Sequence, residues 1–400
     1  MPISRRIRRA CKQSPVRSCR ATKTCLKLSC RHFLTYPNEI LQRWRIAGHV
    51  GQNATDAQVA PVLRSADLVF SNLACCFYES VVERTDHEEG FYAPPQAVAA
   101  LPMAGVRAVG IANNVNYGAP AIRASVAQLE SLGIACTGAG ANAQAAARAA
   151  IVTVNGVRYG FLQHTSVYWT RGHEAGSETP GVATVCAHTA YRPRIEDIKT
   201  LTRPGAAPEI VTWTDPAALE KLRADVSRLR GEVDVLVASH HWGLDGEVLD
   251  YQREIAHAVI DAGADLVFGH GLHMPLPVEV YDGKVIFYGA GSFPFDIGHG
   301  GRKHPDWLGL MPVIELDGTR IEQVSFRFVR HNARDETVFC APGHEMQTLS
   351  VLEIASLGAT LDARAEDVLV APDAIATYDM LPQLEVNPTE PVRAPACAKV

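Results

Sequence analysis

"VDVLVASHHWG" (residues 233–243) and "ADLVFGHGLHM" (residues 264–274) are the stretches whose reading decides the fold. Each is a short apolar run of strand length that ends in paired histidines beside glycine. A run apolar on both faces reads as a strand covered on both sides, the pattern of a parallel sheet. Between them "YQREIAHAVIDAG" has helical spacing, so the unit is strand–helix–strand. In open α/β sheets ligands collect outside the carboxyl ends of the strands. The histidines therefore stand where a site is expected.

The same rhythm extends in both directions. "RWRIAGHV" reads as a strand ending in a glycine turn, and "DLVFSNL", "VRAVGIANN" and "IACTGAG" read as further strands separated by helical stretches. "IVTVNGVRYGFLQHT" reads as a hairpin turning at Asn155-Gly156, and "LPVEVYDGKVIFYGAGS" as one turning at Asp282-Gly283. Residues 166–216 are irregular and read as a long excursion over the surface, the kind of segment that often serves as a lid or binding loop.

Composition narrows the classes. The chain has 400 residues, 47% apolar and 20% charged, with a net charge of −5. That balance supplies no basic field for nucleic acid. No run approaches the roughly 18 to 20 apolar residues that span a bilayer, so no stable membrane insertion is expected. Residues 1–31 carry ten Lys or Arg and no acid. Residues 1–42 are read as a basic, cysteine-containing arm, disordered or translated from a misplaced start. Residues 43–332 are read as the α/β domain, and 333–400 as an extension, partly helical with a disordered end. The ten cysteines fit neither a zinc-knuckle spacing nor a disulfide framework. With no signal peptide evident, a cytoplasmic location is expected ahead of a secreted one.

The residues at strand carboxyl ends are His49, Asn72, Asn113, Asn114, His240, His241, His270 and His273. Neutral imidazole is a common ligand for zinc, iron and manganese. A bound ion can polarise an oxygen or generate a nucleophilic water. None of these strand ends carries an Asp or Glu directly, so the anionic side of such a site is thin. A single histidine after a strand is more often a hydrogen-bonded structural residue, and this applies to His49 alone. Adjacent Cys75 and Cys76 read as core packing. "GAGAN" (138–142) lacks the GxGxxG spacing, and neither a P-loop nor a GxSxG elbow occurs. In the excursion, Arg171 or His173 could meet an anionic substrate, or the loop is simply a solvated surface.

Taken in order, "GHV", "ADLVFSNL", "VGIANN", "GIACTGAGAN", "VDVLVASHHWG", "IDAGADLVFGHGLHM" and "VEVYDGKVIFYGAGSFPFD" resemble the capsule-synthesis CapA family, the poly-γ-glutamate biosynthesis proteins of the calcineurin-like metallophosphoesterase superfamily. The resemblance covers about residues 44 to 332. It implies a four-layer α/β/β/α sandwich of the metallophosphoesterase type, with metal-binding loops at the strand ends. His241, His270, His273 and Asn114 match family positions. Three positions depart: Gly48-His49-Val50 replaces Gly-Asp-Val, Asn72-Leu73-Ala74 replaces Asn-Leu-Glu, and Asn113-Asn114-Val115 replaces Asn-Asn-His. Loss of two carboxylates removes charge that hard dications need. The expectation is a His-rich site for one zinc, iron or manganese ion, held by His49, His241, His270 and His273. His240 is expected as an acid–base residue beside the metal, with Asn72 and Asn114 orienting water or substrate. The resemblance implies a peptide, polyglutamate or phosphorylated envelope precursor as partner, and a metal-dependent hydrolase as the activity. A non-catalytic binding or export module and a metal-assisted peptide epimerase are the alternatives.

Overall fold

All seven residues of the strand Val235–His241 are buried, and their neighbours explain why. Val235 and Val237 pack into one core, whereas Leu236 and Ala238 pack into another. Successive side chains of a strand point to opposite faces. A strand apolar at every position must therefore be covered twice.

The protein, described by a computed structural model over residues 23–29, 59–79, 90–193, 207–244, 246–293, 308–332 and 337–373, is a mixed α/β structure with several sheets. Among the described residues the first large sheet has nine strands. Its parallel part runs Lys23–Ser29, Leu68–Asn72, Val106–Gly110 and Ala135–Thr137. Antiparallel strands Leu308–Asp317 and Arg320–His331 extend it on the other side. The second sheet has six strands among the described residues, with Val235–His241 lying parallel between Val157–Thr165 and Leu266–His270.

The two sheets face each other across a common core. Phe70 of the first stacks on Phe161 of the second, with ring centroids 4.5 Å apart; Leu310, Phe326 and Phe268 join them. Outside the first sheet, Leu63, Leu101, Ile122 and Leu129 from helical segments pack on Val69 and Val109. Outside the second, the helices Pro216–Arg230 and Asp250–Asp261 contribute Leu222, Val226, Ile255 and Val259. The strongly twofold-covered strands and these helices are the alternation read from the sequence.

Both hairpins turn where expected. Asn155 and Gly156 have φ of 51° and 84°, and Asp282 and Gly283 have 47° and 70°, the left-handed pair that a two-residue hairpin turn requires.

Three expectations change. Lys23–Ser29, inside the stretch read as a disordered arm over 1–42, is a strand between Leu68–Asn72 and Leu308–Asp317. Its sequence "KTCLKLS" alternates with period two, a strand signal masked by the lysines around it. The segment "RWRIAGHV", with His49, lies outside the described residues. In the extension read as partly helical, the helix Met346–Ala355 is present, but strands Thr337–Cys340, Ala359–Ala363 and Val368–Pro372 join the first sheet as well, pairing Val324 with Val370. Sheet pairing thus continues across the boundary placed at residue 332. The excursion over 166–216 also contains structure: Ala187–Arg192 and Glu209–Thr214 form an antiparallel ribbon.

Candidate functional site

Strand register brings the candidate residues together. Ser239 pairs with Gln163 and with Phe268, and His241 pairs with Thr165 and with His270. Odd-numbered Val235 and Val237 face the inter-sheet core, so Ser239 and His241 lie on that face as well. In the first sheet Leu68 and Phe70 face the same core, which places Asn72 opposite them at the carboxyl end. The result is a polar cluster closing one end of the inter-sheet space.

Gln163 is its centre. The Gln163 Oε1 accepts from the Ala112 N–H at 2.7 Å. Its Nε2 donates to Asn72 Oδ1 at 3.0 Å, and lies 2.9 Å from His270 Nε2 and 3.3 Å from Ser239 Oγ. Ser239 Oγ is 3.0 Å from the same His270 nitrogen. Asn113 donates through Nδ2 to Asn72 Oδ1 and to the Leu73 carbonyl, while its Oδ1 accepts from the amides of Val115 and Asn116. Gly110 makes the arrangement possible: a Cβ there would stand 2.3 Å from Gln163 Cδ.

His241 and His270 are neighbours, with ring centroids 5.5 Å apart. Thr165 Oγ1 lies 3.2 Å from His241 Nδ1 and donates to the Val167 carbonyl at 2.8 Å. A hydroxyl whose proton is taken by that carbonyl accepts from His241, which leaves the His241 lone pair on Nε2. The next turn is tight. Gly271 has φ of 139°, and a Cβ on it would meet the Trp242 carbonyl oxygen at 2.2 Å. His273 sits at φ 62°, an unusual backbone for a non-glycine residue, with Nδ1 3.4 Å from Ser292 Oγ.

His240 belongs elsewhere. Its even position turns it to the helix-covered face, where its ring lies 4.8 Å from Trp242 and 6.4 Å from His164, and Ser166 Oγ is 3.0 Å from its Nε2. Burial lowers its pKa well below the usual histidine range, and nearby His164 adds to this. His240, expected as an acid–base residue, faces away from His241 and His270, because neighbours in a strand face opposite ways. Asn114 is half-buried, and its carbonyl accepts from Trp169 Nε1 at 2.9 Å. His173 is not presented to a substrate. It is fully buried, takes the Trp169 N–H on Nδ1 and lies 3.0 Å from the Asn116 carbonyl through Nε2; burial lowers its pKa to about 4. Cys75 and Cys76 are both buried in the core, as read.

The resemblance implies a metal. Among the described residues, no group of three or more His, Cys, Asp or Glu side chains is arranged to hold one. The positions where the family pattern has Glu and His hold Ala74 and Val115, both buried, and His270 Nε2 is already in contact with Gln163 and Ser239. The described side chains do not fit a metal ion by themselves.

Comparison with known proteins resolves the lineage. Residues 33–297 match the family described as bacterial capsule synthesis protein PGA_cap. The chain belongs to this family. Every described member of the cluster, from Asn72 to His273, falls within the PGA_cap match. Among curated relatives it is 27% identical over 260 residues to the PGA biosynthesis protein CapA of Bacillus subtilis (strain 168), covering 64% of this chain and 60% of that protein. It is 26% identical to the capsule biosynthesis protein CapA of Bacillus anthracis, covering 66% and 60%. A probable polyglutamine synthesis accessory protein of Mycobacterium tuberculosis (strain ATCC 25618 / H37Rv) is 30% identical over 214 residues, 52% of this chain and 50% of that one. The chain therefore spans about 60% of the CapA relatives it matches. These identities mark a divergent member. No described helix is long and apolar enough to cross a membrane.

Gln163, Ser239 and Thr165 were not singled out in the sequence. The filter that found the histidines could have found them too, because each lies within the last three residues of a strand of the same sheet. "YGFLQHT" was read only as the second arm of a hairpin, and its parallel pairing with Val235–His241 is not visible locally.

Proposed function

We propose that this PGA_cap protein acts in the synthesis or handling of poly-γ-glutamate or a related capsule polymer, and that the closed end of its inter-sheet space receives an acceptor oxygen of that polymer or its precursor. The layering of helices, sheet, sheet and helices is read here as the four-layer sandwich of the metallophosphoesterase type. The role proposed is binding. The single observation that carries it is Asn72: fully buried, its Oδ1 taking two donors, its Nδ2 without a hydrogen-bond partner among the described residues. A buried donor left unmet costs about 1–3 kcal/mol. A carboxylate or amide oxygen, both abundant in a γ-linked polyglutamate, would recover it.

The test is calorimetric titration of the purified chain with oligo-γ-glutamate, beside Asn72→Asp. That variant keeps an acceptor toward Gln163 and replaces the donor with an oxygen that repels the ligand. The expected result is measurable binding weakened at least about tenfold in the variant, equivalent to 1.4 kcal/mol, with unchanged thermal melting. Absence of binding by the unsubstituted chain, or equal binding by both, would sink the reading.

A second reading, metal-dependent hydrolysis, draws support from His241, whose contact with Thr165 leaves Nε2 as the basic nitrogen. It requires His49, His270 and His273 to complete the ligand set. About one zinc, iron or manganese per chain by mass spectrometry, lost in a His270→Ala/His273→Ala double variant, would favour it over the binding role.

A further inference from the structure

We propose that the loop at residues 113–117 and the segment at residues 169–173 fastened to it form a subsite for one glutamyl unit, in which Asn116 Oδ1 accepts the chain amide N–H and Arg171 takes the α-carboxylate. The inference rests on the binding role proposed above and names the groups of the polymer that are read.

Asn116 supplies the first observation. It is buried, and its Nδ2 donates to two carbonyls, that of Leu73 at 2.9 Å and that of Ile111 at 2.8 Å. Reversing the amide would set its oxygen against both carbonyls, so the direction of the side chain is fixed. Its Oδ1 is then left without a hydrogen-bond partner among the described residues. Buried acceptors are normally met, and this one calls for a donor. Asn72 Nδ2 is an orphan of the opposite kind. Asn113 links the two residues: its Nδ2 reaches Asn72 Oδ1 and the same Leu73 carbonyl that takes Asn116 Nδ2. An unmet donor and an unmet acceptor in one small network match a secondary amide, which brings both complements. A carboxylate alone would satisfy only Asn72. A γ-linked polyglutamate carries such an amide at every unit.

Arg171 supplies the second. The segment that carries it is tied to the same loop at three points. Trp169 Nε1 donates to the Asn114 carbonyl and the Tyr117 hydroxyl to the Arg171 carbonyl, both at 2.9 Å, and His173 Nε2 lies 3.0 Å from the Asn116 carbonyl. His173 takes the Trp169 N–H on Nδ1, so its proton sits on Nε2 and is given to Asn116. Gly172 makes the turn at φ 63°, a backbone that suits glycine. These bonds hold the backbone of Arg171 and spare its guanidinium. The side chain is exposed and has no ion-pair or hydrogen-bond partner among the described residues, while the Glu174 carboxylate nearby is engaged by Thr184 Oγ1. The buried His173 ring, with its pKa lowered to about 4, adds no charge at neutral pH, so the positive charge of the segment is that of Arg171. A cation on a pinned backbone gives up less freedom on binding. Its planar guanidinium meets a carboxylate through two parallel hydrogen bonds.

The test is calorimetric titration of the full chain with three synthetic oligomers: oligo-γ-glutamate, the same oligomer with α-carboxamides, and the same oligomer with an ester oxygen in place of each amide N–H. Oligo-γ-glutamate is expected to bind at least about tenfold tighter than either analogue. Arg171→Gln is expected to bring the carboxylate and carboxamide forms within about twofold of each other. It should keep the discrimination against the ester and leave thermal melting unchanged. Equal binding of the carboxylate and carboxamide forms, or a preference that survives Arg171→Gln, would overturn the role of Arg171. Equal binding of amide and ester would assign the Asn116 acceptor to water and overturn the subsite. Binding without discrimination thus removes this inference alone, whereas no binding of any oligomer removes the polymer-binding role together with it.

Discussion

The two faces of the second sheet carry adjacent residues of the same strands into opposite circumstances. On the inter-sheet face, Gln163, Ser239, His241 and His270 are tied to one another, to Asn72 of the facing sheet and to backbone groups whose direction is set. On the helix-covered face, His164 and His240 are buried among apolar and aromatic neighbours, and a hydroxyl of Ser166 meets one of them. Burial dominates there, lowering His164 to about 4, with Lys221 adding to the effect. One face is organised by hydrogen-bond direction, the other by exclusion of water. A pair of consecutive histidines is therefore two sites, not one.

That contrast can be broken experimentally. The largest effect is expected from Gly110→Ala, whose Cβ would stand 2.3 Å from Gln163 Cδ and expel the amide from the cluster. Overpacking together with unmet buried polar groups should cost about 3 kcal/mol or more, read by urea unfolding. A loss under about 1 kcal/mol would mean that the cluster is loosely held.

Acid probes the opposite face. His164 on that face, and His173 in the excursion over 166–216, have pKa lowered by burial to about 4, against about 6.5 in an unfolded chain. Between these values the unfolded state binds more protons, so stability falls as pH falls through the window from 6.5 to 4. The loss is on the order of 3 kcal/mol for each imidazole. Stability that is flat over this window, measured by denaturant unfolding at several pH values, would show that these rings are not buried as neutral groups.

A matched pair sharpens the comparison with smaller effects. Gln163→Leu leaves the Ala112 N–H without its partner, removes one of the two donors on Asn72 Oδ1, and is expected to cost about 2–3 kcal/mol. His240→Leu removes an imidazole from apolar surroundings and leaves only the partly buried Ser166 hydroxyl to find water. Its cost should stay below about 1.5 kcal/mol. Equal losses in the two variants would erase the distinction between the faces.

Much of the scaffold was legible. Apolar runs at 68–72, 106–110, 235–241 and 266–270 became parallel strands, and the Asn155-Gly156 and Asp282-Gly283 turns fell where their residues demanded left-handed backbone. The carboxyl-end filter located Asn72, His241 and His270 in one cluster. It also admitted His240, because the filter records which end of a strand a residue occupies and ignores which face it points to. Lys23–Ser29 escaped notice because its alternation is short and its lysines resemble those of the surrounding basic stretch. The strands of residues 337–372 escaped because their partners lie elsewhere in the first sheet.

The sequence by itself determined the order of strands and helices, the tight turns and the end of the sheet at which polar residues gather. These are local: they follow from apolar spacing, from glycine and asparagine at positive φ, and from the alternation of strand side chains. Only the tertiary structure decided that Gln163 meets Asn72, 91 residues away, and that His241 and His270 share this buried cluster while His240 does not. The reason is physical. Which face of a strand becomes a site depends on the sheet packed opposite it, and a hydrogen bond between sheets is set by inter-sheet packing that no local pattern encodes.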